Sequence, residues 1–175
     1  MKLTTKGRYG LRALIDLAVH QDEGAVSTQS IAERQELSES YLEQLMRSLK
    51  KAELVQSVRG AGGGYRLARP AGEISVGDVL RALEGNLDAV SCPAIKDMPG
   101  FGDLDIEDLK KIKDISVLKN MSVCESADLC VTKVVWKRIN DAIAAAVDSM
   151  MLDELVNESR SLLKGHDDEV ISCKN

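Results

Sequence analysis

Three cysteines of this 175-residue chain are placed where their thiols could share one metal centre. Cys92, Cys124 and Cys130 flank a loop-like region just before a long helical pattern. Thiolates are the usual ligands of iron–sulfur clusters, and the six-residue step from Cys124 to Cys130 lets both sulfurs reach one centre from a loop. Zinc is a further candidate, and incidental or buried thiols are the alternative to any metal. The pattern therefore predicts a possible metal site without naming the metal.

A second set of chemically capable side chains lies on a predicted helix that begins after Ser38 and runs to Lys51. Ser38 has the side chain that an N-cap requires, and apolar residues recur at helical spacing on one face: Leu42, Leu45, Met46 and Leu49. The opposite face is polar and can bond base edges and phosphates if the helix enters a major groove. Its candidate DNA-binding residues are Ser40, Tyr41, Glu43, Gln44 and Arg47.

A glycine-rich hairpin is predicted directly after this helix, in the stretch SVRGAGGGYRL. Apolar β-prone residues stand on both sides of a glycine cluster whose backbone could approach another molecule closely. Arg59, at the edge of the tip, could enter a minor groove beside the major groove that the helix would occupy. The candidate contacts of the tip are Arg59, Gly60, Gly62, Gly63 and Gly64.

The order of these elements indicates a winged helix-turn-helix, because a short helical segment, Thr28–Gln35, precedes the polar-faced helix. Taken alone, a polar helix face is usually only solvated, and a glycine-rich hairpin is usually only a turn. Their succession and spacing favour contact with duplex DNA.

Charge is distributed unevenly along the chain, whose formal net charge is −5. Residues 1–70 hold 11 Lys and Arg against 8 Asp and Glu, whereas residues 71–175 hold 12 against 20. The basic part thus coincides with the predicted DNA-binding part. The sequence shows neither a membrane span nor the apolar core of a signal peptide, so we expect a cytoplasmic protein with four cysteines kept out of structural disulfides.

The flanking elements complete a domain over residues 1–85. Thr5 could cap a first apolar-striped helix, and Ser75 with Asp78 resembles a capping box before a short helix that ends at Gly85. Residues 86–131 are predicted to form the cysteine-containing loop with an insertion, broken by Pro93 and Pro99.

Residues 132–151 carry an apolar stripe about five helical turns long, followed by a C-terminal segment and polar tail over residues 152–175. The stripe could pack on its own domain, but two-fold dimers commonly read paired DNA half-sites, so we expect a dimerisation helix. The predicted homodimer interface comprises Val135, Ile139, Ala142, Ile143, Ala146 and Val147. The expected fold class is mainly α with a small β-hairpin wing: a winged helix-turn-helix domain plus a long dimerisation helix.

An enzyme is disfavoured by the shortage of catalytic groupings. The chain has two histidines, neither beside a cysteine in sequence, and its glycine cluster lies in a hairpin rather than at a strand-to-helix phosphate loop.

The chain resembles the IscR-type branch of the Rrf family of bacterial winged-helix repressors in four stretches: KLTTKGRYGLRAL, LSESYLEQLMRSLKKAELVQSVRGAGGGY, ISVGDVLRALEG and CVTKVVW. The resemblance covers nearly the whole chain except about residues 93–123 and the tail. It implies a homodimer that binds palindromic or semi-palindromic double-stranded promoter DNA. It also places the equivalents of Ser40, Glu43 and Gln44 on the recognition helix and that of Arg59 on the wing.

Many members of that family hold an iron–sulfur cluster on three cysteines between the DNA-binding domain and the dimer helix. The resemblance therefore implies such a cluster on Cys92, Cys124 and Cys130, with [2Fe–2S] preferred over [4Fe–4S]. The alternative is a cluster-free regulator of the same fold, controlled by a partner protein, a small molecule or thiol oxidation.

Two departures from the family pattern leave the fourth ligand open. The family spaces its cysteines closely, whereas about thirty residues separate Cys92 from Cys124 here. Lys133 stands where the IscR-type pattern has a histidine, and Arg8 stands where other branches have a carboxylate; neither is a suitable ligand. His166 and Cys173 in the tail could reach the site, although an ordinary exposed tail is the simpler expectation.

Overall fold

The computed structural model describes residues 3–60, 62–95 and 130–165. Over these residues the chain is mainly helical with an antiparallel hairpin, as the sequence predicts. The elements in chain order are α1 (Thr5–His20), α2 (Thr28–Gln35), α3 (Glu39–Lys51), β1 (Val55–Val58), β2 (Gly64–Leu67), α4 (Val76–Glu84), α5 (Thr132–Asp148) and α6 (Leu152–Gly165).

The chain divides into two units, which are described separately. The larger unit consists of Leu3–Asn86 with Val147–Asn175, and the smaller unit consists of Met1–Lys2 with Leu87–Ala146. The predicted amphipathic turns near residues 106–115, the thiols Cys124 and Cys173, and the tail from His166 onward lie outside the described residues.

An aliphatic core holds the larger unit together, in keeping with the 3% aromatic content. Helix α1 lies at its centre and packs against α2, α3, α4 and α6. The side chains that these helices bury include Leu14, Leu17, Ile31, Leu42, Met46, Leu49, Val79 and Leu152. Because removal of apolar area from water is the main driving force for folding, this cluster fixes the orientation of α3.

Helix boundaries follow local capping chemistry. The Ser38 hydroxyl accepts a hydrogen bond from the Tyr41 N–H at 3.4 Å, and Ser75 with Asp78 forms the predicted capping box before α4. As predicted, α4 ends at Gly85, whose φ of +82° is a conformation that favours glycine. The N-cap of α1 is Thr4, so the prediction of Thr5 is wrong by one residue.

The hairpin is fastened to the rest of the larger unit by a third backbone segment. Strands β1 and β2 pair antiparallel with Val55 opposite Leu67 and Val58 opposite Gly64. Val26, which precedes α2, adds a bridge to Tyr65 through two N–H to carbonyl bonds of 2.9 and 2.8 Å. The wing is therefore seated on the segment that joins α1 to α2.

The C-terminal helix α6 also belongs to the larger unit, although sequence analysis treats its residues as a segment leading into a tail. The Leu152 N–H donates to Ile74 O at 2.8 Å, and the Val76 N–H donates to Met150 O at 2.9 Å. Leu152 and Val156 are buried in the core cluster. Among the described residues, no helix is long and apolar enough to cross a membrane.

Glu84, the last residue of α4, caps the N-terminus of α1. Its Oε1 accepts hydrogen bonds from the N–H groups of Thr4 and Gly7, both at 2.9 Å, and from the Thr4 hydroxyl at 2.8 Å. Burial by itself would raise the pKa of Glu84, but these hydrogen bonds and nearby Lys6 together lower it. Glu84 at the end of α4 is thus joined to the N-terminus of α1, where the helix dipole favours a carboxylate.

We expect this carboxylate to make stability depend on acidity. Because the pKa is lowered in the folded state, its contribution is fully present above the ordinary value of 4.5 and is lost as pH falls through the folded-state pKa. Glu84→Gln should flatten the dependence of the unfolding free energy on pH below about pH 5, measured by urea titration. Glu158→Gln, on the exposed face of α6, is the control; equal flattening in both variants would contradict the assignment.

Candidate nucleic-acid interface and cysteine loop

The outer face of α3 is polar and accessible. Ser40, Gln44 and Arg47 are exposed, and Arg47 Nη2 lies 3.3 Å from Glu43 Oε2. The Arg47 side chain is 72% exposed and that of Glu43 is 47% exposed. Since an exposed ion pair contributes about 0–1 kcal/mol, it can open at little cost and offer both groups to another molecule.

Tyr41 lies differently from the other four predicted contacts on α3. Its ring packs edge-on against Tyr9 of α1, with centroids 6.2 Å apart, and its hydroxyl is buried without a hydrogen-bond partner among the described residues. We therefore correct the role of Tyr41 from a DNA contact to a packing residue between α1 and α3.

Arg59 lies at the exposed tip of the wing, beside the exposed Val58. Gly60 follows with φ +118°, a conformation that favours glycine and turns the chain at this point. At Gly62, an added Cβ would meet nothing within 4 Å in the described structure, so this position is open.

Position 64 requires glycine for a structural reason that the sequence pattern did not indicate. An added Cβ would lie 2.2 Å from Val26 O, at the bridge that seats the wing, and one on Gly63 would lie 2.7 Å from Val58 O. These two glycines let backbones approach within the protein itself. Their predicted contact with DNA is therefore not needed to explain their residue type.

A lysine at the end of α3 joins that helix to the wing. Lys50 Nζ donates to Ser57 Oγ at 2.7 Å, and Lys51 beside it is exposed. Two positive charges at a helix C-terminus are favourable, because the helix dipole is negative there. The Lys50–Ser57 bond therefore ties the C-terminal end of α3 to strand β1 of the wing.

In the smaller unit, Asn140 of α5 fixes the loop that leads to Cys92. Its Oδ1 accepts from the N–H groups of Ala89 and Val90 at 2.9 and 3.3 Å, and its Nδ2 donates to Val90 O at 3.0 Å. Asn140 is buried, so these bonds replace those that it would make with water. Sequence reasoning missed this residue because the polar residues Arg138 and Asp141 near it suggest a solvated helix face.

Cys130 lies at the N-terminus of α5. Its Sγ is 3.1 Å from the Thr132 hydroxyl. Hydrogen bonds from that hydroxyl and from the backbone of Lys133 and Thr132, together with the charge of Lys133, lower the pKa of the Cys130 thiol against a smaller opposing effect of burial. A stabilised thiolate is the form that binds iron or zinc.

The described residues contain two of the three predicted metal ligands, Cys92 and Cys130, both half-buried. Within residues 3–60, 62–95 and 130–165, no three His, Cys, Asp or Glu side chains form a group that could hold a metal. Cys124 lies outside that part. The donor chemistry of the two described thiols nevertheless fits an iron–sulfur cluster or zinc.

The residues considered for a fourth ligand have other contacts. Lys133 is buried at 8% exposure, and Arg8 lies over the Tyr9 ring, 5.0 Å from its centroid. His20, the histidine within the described residues, ends α1, and its Nδ1–H donates to Asp16 O at 2.8 Å. Contacts within the protein therefore account for the position of each of these side chains.

Helix α5 presents an apolar stripe on its surface. Val135 and Ile139 are 47% and 37% exposed, Ala142 and Ala146 are exposed, and Ile143 is half-buried. Val147, by contrast, is buried within its own chain, so its predicted place in a dimer interface is corrected to one in the core of the chain. The other five predicted interface residues remain available to a partner.

A family model described as an iron-dependent transcriptional regulator, Rrf2, matches residues 3–158. The chain belongs to the Rrf2 family. Its helices and hairpin are those of an Rrf2 winged helix, and the regulator IscR of Pectobacterium carotovorum is 38% identical over 162 residues, covering 93% of this chain and 83% of the relative. IscR of Photobacterium profundum is 35% identical and covers 98% of this chain and 86% of the relative.

Two solved structures of Rrf2-like regulators are similar to the chain. The structure of T. potens IscR has a TM-score of 0.62 and 40% identity, covering 93% of this chain and 90% of that one. The structure of CymR (YrzC), the global cysteine regulator of B. subtilis, has a TM-score of 0.62 and 36% identity, covering 90% and 98%. The predicted family and winged-helix fold are confirmed, and the chain is a DNA-binding transcription regulator of the IscR type rather than an enzyme.

Proposed function

We propose that the protein acts in the cytoplasm as a homodimer that binds double-stranded promoter DNA, and that an iron–sulfur cluster on Cys92, Cys124 and Cys130 modulates this binding. The observation that carries the DNA-binding geometry is the accessible polar face of α3 beside the exposed Arg59 of a wing fastened to the same unit. The sequence pattern alone indicates the same two surfaces.

In this docking, α3 lies in a major groove with Ser40, Glu43, Gln44 and Arg47 toward the base edges. The wing tip follows the adjacent backbone, and Arg59 enters the minor groove, whose negative potential attracts a guanidinium group. Gly62 leaves the tip open for close approach of a phosphate. Lys50 and Lys51 supply charge against the phosphates.

Two observations support the cysteines as ligands. The pKa of the Cys130 thiol is lowered at the start of α5, and Asn140 of the same helix fixes the loop before Cys92. When bound, an iron–sulfur cluster would supply a redox-sensitive and oxygen-sensitive group, here preferred as [2Fe–2S]. The protein's own residues then set the position of that group relative to α5.

A cluster-free regulator is the second candidate, in which the cysteines act as thiols or a small molecule or partner protein controls binding. Lys133 at the position of the family's histidine favours it, because a protonated lysine is a poor ligand. Anaerobic purification followed by a visible absorption spectrum and assays of iron and sulfide separates the two. A colourless protein without iron or sulfide would establish the second candidate.

The docking predicts two mutational effects that differ in kind. Arg59→Ala should weaken specific binding by about 1–3 kcal/mol, because a guanidinium in a groove is lost. Glu43→Ala should change base preference more than overall affinity, because it removes an acceptor at the base edges and frees Arg47. Anisotropy titrations on a selected site and its single-base variants, at fixed salt, measure both.

Arg138→Ala, which removes one positive charge from the smaller unit, is the control for a general loss of charge. It should shift affinity far less than Arg59→Ala. Unchanged binding and base preference in both the Arg59 and Glu43 variants would refute the docking.

A further inference from the structure

The wing depends on a short connector between α1 and α2, Gln21–Val26, for its position in the larger unit. Gln21 Oε1 accepts a hydrogen bond from the Leu67 N–H of β2 at 3.0 Å. At the other end of the connector, Val26 and Tyr65 exchange backbone bonds of 2.9 and 2.8 Å. These bonds hold both ends of β2 from the side opposite to β1.

The bond to Gln21 is important because Leu67 is buried, at 8% exposure. A buried N–H that loses its acceptor must remain unsatisfied or move to reach water, and either outcome destabilises the seated wing. The side chain of Gln21 therefore has a structural role in the wing. It completes the hydrogen bonding of the strand that leads back from Arg59 at the tip.

The C-terminal helix α6 also bonds to the end of α1 and to the start of this connector. Arg160 of α6 donates from Nη2 to Val19 O at 3.3 Å and to Asp22 Oδ2 at 2.5 Å. Val19 and Asp22 flank Gln21 in sequence, so the guanidinium spans the residue that bonds to the wing. All of these residues lie in the larger unit.

We propose that Gln21 and Arg160 are positioning residues for DNA recognition: Gln21 fixes the wing to the connector, and Arg160 fixes the connector to α6. This inference rests on the proposed contact of the wing with DNA. Gln21 and Arg160 touch no base or phosphate in the docking described above, and they act through the placement of Arg59. Recognition by the wing therefore depends on a helix at the other end of the chain.

The test pairs each disruptive variant with a conservative one in the full-length protein. Gln21→Met keeps the side-chain size but removes the acceptor, whereas Gln21→Glu keeps the acceptor. Arg160→Met and Arg160→Lys form the second pair. Amide exchange of Leu67 and Tyr65 in the free protein should speed up about tenfold in Gln21→Met. The increase in Arg160→Met should be smaller, because Asp22 is largely exposed and an exposed ion pair contributes little. Exchange should remain near wild type in Gln21→Glu and Arg160→Lys. Unchanged exchange of these amides in Gln21→Met would overturn the proposal.

DNA binding gives the second readout, through double-mutant cycles with Arg59→Ala. Gln21→Met should weaken binding to a selected site by about fivefold to tenfold in the wild-type background and have little effect in the Arg59→Ala background. Equal loss in both backgrounds would overturn the role of Gln21 and assign it only to stability. If Arg59→Ala itself leaves binding unchanged, the docking fails, while the exchange measurement still decides whether Gln21 holds the wing.

Discussion

Replacing Cys92, Cys124 or Cys130 individually with Ala should remove most of the iron from anaerobically purified protein. Ligands that share one centre are not independent, so loss of any one thiolate opens the cluster to solvent and release. Cys173→Ala is the matched control, because it removes a thiol that is outside the proposed set of three ligands. Iron and sulfide content and the visible spectrum measure the result.

The same measurements test whether Lys133 has replaced a ligand, since the IscR-type pattern has a histidine at this position. If Lys133 merely replaces a ligand, Lys133→His should slow the loss of the visible spectrum in air; if another residue completes the site, it should change little. Loss of iron in Cys173→Ala would contradict the three-cysteine assignment and bring the tail into the site.

Replacing Ile139 with Asp on α5 should convert the proposed homodimer to a monomer and abolish high-affinity binding to a two-half-site operator. The helix is 17 residues long, about 25 Å, and its stripe of five partly or fully exposed apolar residues needs a partner surface. An Asp at the centre of each copy would place unpaired charges in the seam, costing about 3 kcal/mol or more. Sedimentation velocity at micromolar protein measures the assembly.

Ala145→Asp is the matched control, since Ala145 is exposed on the same helix about 100° from the centre of the stripe. It introduces the same charge and a larger loss of helix propensity, because Ala is a better helix former than Ile, but it should leave the proposed dimer intact. A wild-type protein that sediments as a monomer would reject this interface, whatever the variants do.

Sequence reasoning predicts most reliably the features that are decided within a few residues. The cap at Ser38, the capping box of Ser75 with Asp78 and the helix end at Gly85 all depend on neighbours no more than four positions away. The hairpin is of the same kind, because its turn and its alternating apolar residues lie in one short stretch. The α3 face and the wing tip could therefore be placed before any tertiary contact was known.

The features that sequence reasoning missed depend on distant partners. The Glu84 carboxylate caps Thr4 across 80 positions, and Arg160 reaches Asp22 across 138. Tyr41 has the polar group of a surface residue, yet Tyr9 provides a packing partner that no local pattern reveals. Helix α6 did leave a signal, since Leu152, Leu155 and Val156 recur at helical spacing, but the polar residues after Val156 resembled a tail.

The chain leaves the larger unit after Asn86 and re-enters it at Val147. Both anchor points are on one helix: α4 ends at Gly85, and the returning chain pairs Asp148 with Arg81 and Met150 O with the Val76 N–H. The chain therefore leaves the larger unit before residue 87 and rejoins it after residue 146 at two points that α4 holds. The entropic cost of closing such a loop rises by only about 0.6 kcal/mol for each doubling of its length. Evolution can lengthen the stretch between Cys92 and Cys124 while the part that reads DNA keeps its geometry.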